Sequence, residues 1–192
     1  MPNNSITGII LAGGKSSRMG TDKSLMLYHG KTLVQHAIEI IKPLCDKVII
    51  SSNNPVYDFT GCETWPDEFP IQAPMVGIYS CLKRTKTAKN IVLSCDMPLI
   101  PTILIEHLLK QSDQFDITIP KHLPDLIEPL CGIYNRSAIP TLEIFIQKNN
   151  FRLYESISAC NSKIVSVDST LSFYNSQLFT NINTLTDYNT LK

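Results

Sequence analysis

The chain has 192 residues, a length that suits one α/β domain with a full hydrophobic core. Its 17 Lys and Arg residues are balanced by 17 Asp and Glu residues, which argues against a general nucleic-acid binder and against a membrane-surface protein. No apolar run reaches the roughly 18 residues that span a bilayer, and the short polar N-terminus carries no visible secretion signal. We therefore expect a cytoplasmic protein without nucleic-acid or membrane partners.

The six cysteines and four histidines do not follow a metal-ligand spacing. No two cysteines form a C-x-x-C pair, and five of the six lie within or beside apolar runs. Because a free cysteine packs as a small hydrophobic residue, this pattern predicts reduced and mostly buried thiols. A zinc cluster and a disulfide scaffold are both disfavoured.

The first half of the chain alternates short apolar runs with stretches of helical periodicity. Strands are predicted at residues 6–10, 47–51, 63–66 and 90–95. Helices are predicted at residues 32–44, 74–82 and 102–109. This alternation implies right-handed βαβ units and a mainly parallel sheet. Ligands bind at the carboxyl ends of the strands in such sheets, where four loops would meet: residues 11–23, 51–54, 67–74 and 96–98.

The second half of the chain has a different pattern. Further strands are predicted at residues 116–120, 129–134, 163–168 and 177–180. Helices are predicted at residues 135–149, interrupted by Pro140, and at residues 151–159 and 184–191. The change near residue 112 indicates a substrate half of one domain spanning residues 1–192, rather than a second domain.

Residues 11–23, LAGGKSSRMGTDK, follow the first predicted strand and favour phosphate binding, because they combine glycines with an arginine and two lysines. The stretch is not a P-loop, since the opening glycine of G-x-x-x-x-G-K-[ST] would fall on Ile9. It is not a dinucleotide fingerprint either, because Gly13 and Gly14 are adjacent and Gly20 lies too far along the chain.

The pattern that remains, L-A-G-G-x-S-x-R-M-G-x-D-K, resembles the signature loop of the sugar-nucleotide and cofactor nucleotidyltransferases. Within that superfamily the chain most resembles the molybdenum cofactor guanylyltransferases. The narrower resemblance lies in the pair Gly13-Gly14, in Cys95-Asp96-Met97-Pro98 and in Asn181-Ile182-Asn183-Thr184. It implies a three-layer, Rossmann-like α/β fold with a mainly parallel central sheet.

The resemblance implies transfer of GMP from GTP to molybdopterin, with Mg²⁺ as cofactor, to give the guanine dinucleotide cofactor and pyrophosphate. The catalytic residues would be Arg18, Lys23 and Asp96. Arg18 and Lys23 would neutralise the triphosphate, since arginine offers a planar fork and lysine a point charge. Asp96 leaves the end of an apolar strand beside a proline turn and would be the metal ligand.

The family's nucleotide contacts can also be placed on this chain. Ser51 stands where relatives often carry asparagine, and Asn53 is an alternative donor and acceptor. The nucleotide-binding residues implied by the resemblance are Leu11, Ala12, Gly13, Gly14, Lys23, Ser51, Asn53, Asp67 and Asp96.

The acceptor site is expected to lie mainly in the second half of the chain, so that residues 1–111 bind the nucleotide and residues 112–192 the acceptor. The family turn that usually reads G-P-L-A-G is Ala73-Pro74-Met75-Val76-Gly77 here, so the proline and the last glycine match. The candidate acceptor-binding residues are Pro74, Gly77, Arg136, Arg152, Asn181 and Asn183.

Three alternatives remain at this point. The first is the same chemistry with CTP, or with another phosphate acceptor such as a sugar phosphate. The second is a non-catalytic nucleotide-binding or cofactor-binding protein. The third and weakest is a purely structural α/β domain, which would leave the glycine-rich stretch unexplained. The family resemblance also implies transient contact with molybdoenzymes or their chaperones.

Overall fold

The fold was described from a computed structural model, which covers residues 5–13, 22–122 and 126–182. The predicted C-terminal helix at residues 184–191 lies outside these ranges. Within them, no helix has both the length and the apolar character needed to cross a membrane.

Ten strands and five α-helices follow one another along the described chain. The strands are β1 (Ile6–Leu11), β2 (Leu27–Tyr28), β3 (Lys31–Thr32), β4 (Lys47–Ser51), β5 (Glu63–Trp65), β6 (Lys89–Ser94), β7 (Ile117–His122), β8 (Leu126–Ile127), β9 (Cys131–Asn135) and β10 (Ser162–Ser166). The α-helices are α1 (Leu33–Ile41), α2 (Pro74–Arg84), α3 (Thr102–Leu109), α4 (Ile139–Gln147) and α5 (Leu153–Ala159). Short 3₁₀ helices lie at Lys23–Leu25, Lys42–Leu44, Asp58–Thr60 and Arg136–Ala138.

The central sheet has the strand order β10-β7-β9-β6-β1-β4-β5, and β8 pairs with β7. Strands β5, β4, β1 and β6 are parallel to one another. Strand β9 is antiparallel to both of its neighbours, β6 and β7, so β7 again runs in the direction of β6, and β10 is parallel to β7. The predicted α/β fold with a mainly parallel sheet is therefore confirmed.

Helices cover both faces of the sheet, which gives the three layers. Neighbouring side chains of a strand point to opposite faces, so Ile9 and Ile49 pack with α2, α4 and α5. Ile10 and Ile50 pack with α1 and α3 on the other face. All four side chains are fully buried, as expected for central strands of a sheet that is covered on both sides.

Local sequence signals determine where the helices begin and end. Thr32 and Gln35 form a capping box at the start of α1. Pro74 is the first residue of α2, where its missing N–H leaves no hydrogen bond unmade. Helix α1 ends at Ile41 rather than at residue 44, because Pro43 cannot donate the next helical hydrogen bond and the chain tightens into a 3₁₀ turn.

One predicted strand is wrong, and one hairpin has no counterpart among the predictions. Residues 177–180 form a turn rather than a strand: Thr180 N–H donates to the Gln177 carbonyl at 2.9 Å, and Gln177 N–H donates to Asn175 Oδ1 at 2.9 Å. The β2–β3 hairpin was not predicted, because its turn uses His29 and Gly30 with positive φ angles in place of the usual Asn-Gly.

The order of the strands creates a switch point beside β1. After β1 the chain continues to β4 and β5 on one side, and it returns to the other side of β1 with β6. The register pairs Leu11 with both Ser51 and Ser94, so three strands end together. Loops diverge from such a point and leave a crevice where ligands bind.

Candidate functional site

The crevice is built around the carboxyl end of β1. Ala12 N–H donates to the Ser51 carbonyl at 3.1 Å, and Cys95 N–H donates to the Leu11 carbonyl at 3.2 Å. These bonds extend the sheet by one residue on each side. Gly13 follows with a φ of 154°, and a Cβ there would lie 3.3 Å from Ser52 Oγ. The backbone that opens the glycine-rich stretch is thus held against both neighbouring strands.

Lys23 and Asp96, two of the predicted catalytic residues, meet directly at this edge. Lys23 Nζ donates to Asp96 Oδ2 at 2.8 Å, although the residues are 73 positions apart in the chain. Ser94 Oγ donates to the other oxygen, Asp96 Oδ1, at 2.6 Å. Their side chains are 17% and 21% exposed, so both charges can be reached from the crevice while they are largely shielded from bulk water.

The position of Lys23 depends on the residue before it. Asp22 is the N-cap of the 3₁₀ helix at Lys23–Leu25, and its Oδ1 accepts from Ser24 N–H at 3.1 Å and from Ser24 Oγ at 2.6 Å. Its Oδ2 accepts from the Tyr57 hydroxyl at 2.9 Å and from Asn54 Nδ2 at 3.3 Å. Asp22 therefore ties the lysine turn to the segment that follows β4.

Tyr57 is fully buried and contacts three parts of the crevice. Its hydroxyl lies 2.9 Å from Asp22 Oδ2, 2.9 Å from Ser24 Oγ and 3.5 Å from the Ala12 carbonyl. Burial raises the pKa of Tyr57 to about 12. The hydroxyl therefore stays protonated near neutral pH and can donate to the Asp22 carboxylate.

A second polar pair lies at the ends of β4 and β5. Asn53 Nδ2 donates to Asp67 Oδ2 at 3.0 Å, and Asp67 N–H donates to Asn53 Oδ1 at 2.8 Å. Burial raises the pKa of the Asp67 carboxyl, while the Asn53 amide lowers it because it stabilises the charged form. The structure brings together these two predicted nucleotide-binding residues, whose side chains form a paired donor and acceptor surface.

Gly77 groups with the nucleotide residues and not with the other acceptor candidates. A Cβ at this position would lie 2.7 Å from Ser51 Oγ, 3.4 Å from Asp67 Oδ1 and 3.7 Å from Leu11 Cδ2. Gly77 lies in the first turn of α2, which Pro74 begins. The missing side chain lets this helix approach the ends of β1 and β4.

The remaining acceptor candidates are dispersed. Ile182 N–H donates to the Asp96 carbonyl at 2.9 Å, which places the neighbouring Asn181 beside the crevice. Arg152 is at the start of α5, where its side chain is 80% exposed and donates to Glu155 at 2.8 Å. Arg152 is therefore exposed and paired with Glu155 of α5, and none of its contacts with other described residues joins it to the crevice.

Arg136 is at the opposite edge of the sheet, which contradicts its predicted place in the acceptor site. It follows Asn135, which pairs with Lys89 at the start of β6, and its N–H donates to the Ala88 carbonyl at 3.0 Å. With a rise of about 3.3 Å per residue, the start of β6 is about 17 Å from its end at Ser94. The reason is that β9 runs antiparallel to β6, so the residue after β9 lies at the edge of the sheet where the parallel strands begin, which we call the amino edge.

Three predicted site residues lie outside the described part of the chain. They are Gly14, Arg18 and Asn183.

The described residues place three carboxylates at the crevice, those of Asp22, Asp67 and Asp96, and of these Asp96 lies at the end of β6 beside Lys23. They contain no cluster of three or more His, Cys, Asp or Glu side chains that could hold a metal without other ligands. Mg²⁺ commonly binds proteins through one or two carboxylates and takes its remaining ligands from substrate phosphates and water. The donor set therefore fits a Mg²⁺ ion that arrives with a nucleotide, and it does not fit a metal cage built by the protein alone.

Comparison with known proteins assigns the family. Residues 8–160 match the family described as "MobA-like NTP transferase domain". The chain belongs to this family. It is a nucleotidyltransferase, which agrees with the signature loop and with the paired lysine and aspartate.

The most informative relatives are similar over nearly their whole length. A "Probable molybdenum cofactor guanylyltransferase" from Flavobacterium johnsoniae is 31% identical, with 97% of this chain and 96% of the relative covered. One of the same description from Carboxydothermus hydrogenoformans is 30% identical, with 97% and 94% covered. The crystal structure of molybdopterin-guanine dinucleotide biosynthesis protein A from Archaeoglobus fulgidus has the same fold, with a TM-score of 0.83, 24% identity and 96% of each chain covered.

Sequence reasoning missed Asp22, Tyr57 and Ser94 as parts of the site. Asp22 precedes Lys23 and could have been named as a helix cap, and Ser94 lies two residues before Asp96 and could have been named as its hydrogen-bond donor. Tyr57 gave no such signal, because its partners are Asp22, Ser24 and Ala12, all more than 30 positions away.

Replacing Asn53 with alanine is expected to raise the pKa of Asp67 further, because the carboxylate loses the amide donor that stabilises its charged form. NMR titration of the Asp67 carboxyl carbon measures this change. Asn54→Ala is the matched control, since the Asn54 amide donates to Asp22 instead. An unchanged Asp67 titration in Asn53→Ala would contradict the paired surface.

Proposed function

We propose that this protein transfers GMP from GTP to molybdopterin, and that the products are the guanine dinucleotide form of the cofactor and pyrophosphate. The observation that carries the proposal is the Lys23–Asp96 ion pair at the switch point beside β1. A cation for phosphate and a carboxylate for a metal are held together where the fold binds its ligands. The names of the two relatives that match nearly the whole chain support guanine and molybdopterin as the substrates.

The reaction requires two anions to be brought together. A phosphate oxygen of the acceptor attacks the α-phosphorus of GTP and forms a new P–O–P linkage. The bond from the α-phosphorus to its bridging oxygen breaks, and pyrophosphate leaves with the electron pair. Because an ionised phosphate is already a nucleophile, the protein needs to supply position and positive charge rather than a general base.

Lys23 is suited to the charge that develops on the leaving pyrophosphate. Its ammonium is a compact point charge, and the Asp22 cap fixes the turn that carries it. In the free protein Asp96 compensates this charge. Phosphate oxygens would replace the carboxylate as the acceptor for Lys23, and Asp96 would then be available to a cation. On sequence grounds we assign Arg18 to the same phosphates.

Asp96 would hold the Mg²⁺ ion that nucleotidyltransferases of this kind typically require. The ion, when bound, neutralises phosphate charge and polarises the α-phosphate. Ser94 fixes one carboxylate oxygen with a 2.6 Å hydrogen bond, which leaves the oxygen now bonded to Lys23 as the one that can change partner.

The nucleoside would lie on the β4 and β5 side of the crevice. Backbone groups of residues 11–13 and the Asn53–Asp67 pair offer donors and acceptors for the base and ribose. The missing side chain of Gly77 lets the first turn of α2 pack closely against Ser51 and Asp67. We therefore propose that Gly77, and Pro74 that begins its helix, contribute to the nucleotide site and not to the acceptor site.

The acceptor would lie on the other side of β1, against β6, β9 and β7. Asn181 is beside Asp96 on that side through the bond from Ile182 N–H. We propose one domain with two functional halves, about residues 1–111 for the nucleotide and 112–192 for the acceptor. Arg136 is left out of this site because of its place at the opposite edge.

A pyrophosphate-release assay with GTP, CTP, ATP and UTP, each with and without molybdopterin, tests the substrates. We expect release that requires both GTP and molybdopterin. Release with CTP in place of GTP would contradict the guanine assignment. Nucleotide binding without release under any of these conditions would favour a non-catalytic protein.

Asp96→Asn is expected to lower turnover by on the order of 100-fold or more, because a neutral amide cannot supply the metal-binding charge. The fold should be kept, since the amide has nearly the same volume and its carbonyl can accept from Ser94. Asp113→Asn is the matched control, because it also removes a lysine-paired aspartate, but at the amino edge where Lys89 begins β6. Near-normal turnover of Asp96→Asn with Mg²⁺ would refute the metal assignment.

Lys23→Ala is expected to raise the KM for GTP by roughly 10- to 100-fold, the equivalent of a lost hydrogen bond to a charged group. The KM for molybdopterin should change much less. Lys31→Ala removes an exposed lysine that is paired with Glu39 outside the crevice, and it should leave both values unchanged. Equal GTP titrations of wild type and Lys23→Ala by calorimetry would show that Lys23 does not bind the triphosphate.

A further inference from the structure

His122, the last residue of β7, belongs to a cluster with Glu128 and Phe179 that none of the roles above uses. His122 Nε2 lies 2.8 Å from Glu128 Oε1. The imidazole ring stacks on the Phe179 ring, with centroids 4.3 Å apart and planes at 19°. The His122 and Glu128 side chains are only 14% and 12% exposed, so the ring is fixed both by a carboxylate and by an aromatic face.

Strand register gives the approximate backbone separation of His122 from Cys95, the residue before Asp96. Thr118 and Ile91 both pair with Ile133 of β9, so they are level across the sheet. His122 is four residues beyond Thr118, and Cys95 is four residues beyond Ile91. His122 is therefore level with Cys95 but two strands away, which corresponds to about 10 Å at a strand spacing of about 4.8 Å.

The chain after β10 also links His122 to Asp96. Phe179 stacks on His122, and Ile182, three residues later, donates its N–H to the Asp96 carbonyl at 2.9 Å. The backbones of Phe179 and Ile182 can be at most about 10 Å apart, since three residues span no more than that. One short segment thus connects the ring of His122 to the carboxylate residue of the crevice, and Asn181 lies within it.

The segment before β9, which carries Glu128, lies between β7 and the end of β6. Glu128 N–H donates to the Pro120 carbonyl at 3.0 Å, and the nearby Leu130 carbonyl accepts from Ser94 N–H at 2.8 Å. The cluster therefore stands at the carboxyl edge of the sheet, between β7 and the end of β6. This is the side of β1 opposite to the Asn53–Asp67 pair.

Packing gives little reason for a histidine and a glutamate at this place. A shielded pair of polar side chains seldom stabilises a fold more than apolar side chains of similar volume would. It does fix the orientation of the ring. Because the Glu128 carboxylate accepts a hydrogen bond from Nε2, that nitrogen carries a hydrogen, and Nδ1 is left for another partner. Within residues 5–13, 22–122 and 126–182, no group forms a hydrogen bond with Nδ1.

We propose that His122 binds the acceptor substrate, held in place for this by Glu128 and Phe179. The inference rests on the proposed function. Because the backbone of His122 is two strands from the end of β6, about 10 Å, His122 is suited to the part of the acceptor molecule that extends away from Asp96. The acceptor class is therefore a phosphomonoester whose polar, heterocyclic part extends along β9 and β7 and meets Nδ1 with a hydrogen-bonding group.

The test compares KM values for the two substrates in wild type and His122→Ala, with molybdopterin and GTP–Mg²⁺ as the substrates. We expect the KM for molybdopterin to rise about 10-fold or more and the KM for GTP to stay within about twofold. Glu128→Gln should shift the KM for molybdopterin in the same direction by less, because the ring keeps a weaker partner. His107→Ala is the matched control, since His107 also contacts a phenylalanine and a polar partner, Phe173 and Gln111, but on α3.

An unchanged KM for molybdopterin in folded His122→Ala overturns the assignment of His122 to the acceptor. A similar rise in KM for both substrates also overturns it, because that result would indicate a structural role. If His122→Ala does not fold, the same comparison is made with Glu128→Gln, and an unchanged value there overturns the inference. If the wild-type protein neither binds nor uses molybdopterin, the proposed function itself is refuted. This result differs from failure of the His122 assignment, because it is seen without any variant.

Discussion

The parallel pairing of β1 with β4 on one side and β6 on the other is the constraint on which the site depends. A strand that is buried on both faces must satisfy its backbone through both neighbours, and the register that does so ends Leu11, Ser51 and Ser94 together. The bonds from Ala12 to Ser51 and from Cys95 to Leu11 continue the pairing by one residue. The chain can then diverge only into loops, and those loops carry Lys23, Asn53 and Asp96. The crevice is therefore a consequence of strand order, and the polar residues are placed where the sheet can no longer cover them.

The charged side chains that the structure describes in the crevice have partners in the protein itself. Lys23 pairs with Asp96, and Asp22 is surrounded by donors from Ser24, Tyr57 and Asn54. An unpaired ion at this depth would be costly, because shielding from water penalises the charged form. The pairing also holds Lys23 and Asp96 next to each other, with 2.8 Å between Nζ and Oδ2. Binding of a nucleotide with its metal would exchange one set of ionic contacts for another, rather than require bare charges to be held apart.

The sequence was most informative where a candidate residue lies in a recognisable loop or at a strand end. Lys23 lies in the glycine-rich stretch and Asp96 directly follows an apolar strand, so both could be named as candidates, and the structure brings their side chains together. Arg136 could not be placed, because no local pattern shows that β9 runs antiparallel and carries its end to the far edge. Gly77 was grouped with the acceptor, since its contacts with Ser51 and Asp67 exist only after α2 packs on the sheet. Tyr57 and His122 were missed for the same reason: their partners come from segments that are distant in sequence or that lack a motif.

The reversal at β9 also determines how far apart the two substrates' sites can be. Because β9 lies between β6 and β7, the end of β7 is displaced from the end of β6 by two strand spacings, about 10 Å. With β7 directly beside β6, His122 would be one strand closer to Asp96. With β9 inserted, the proposed function has room for the nucleotide at β4 and β5, for the reacting phosphates at β1 and β6, and for the body of the acceptor at β7 and residues 178–182. On that proposal, the antiparallel strand provides the spacing that separates binding of the acceptor's body from the chemistry at its phosphate.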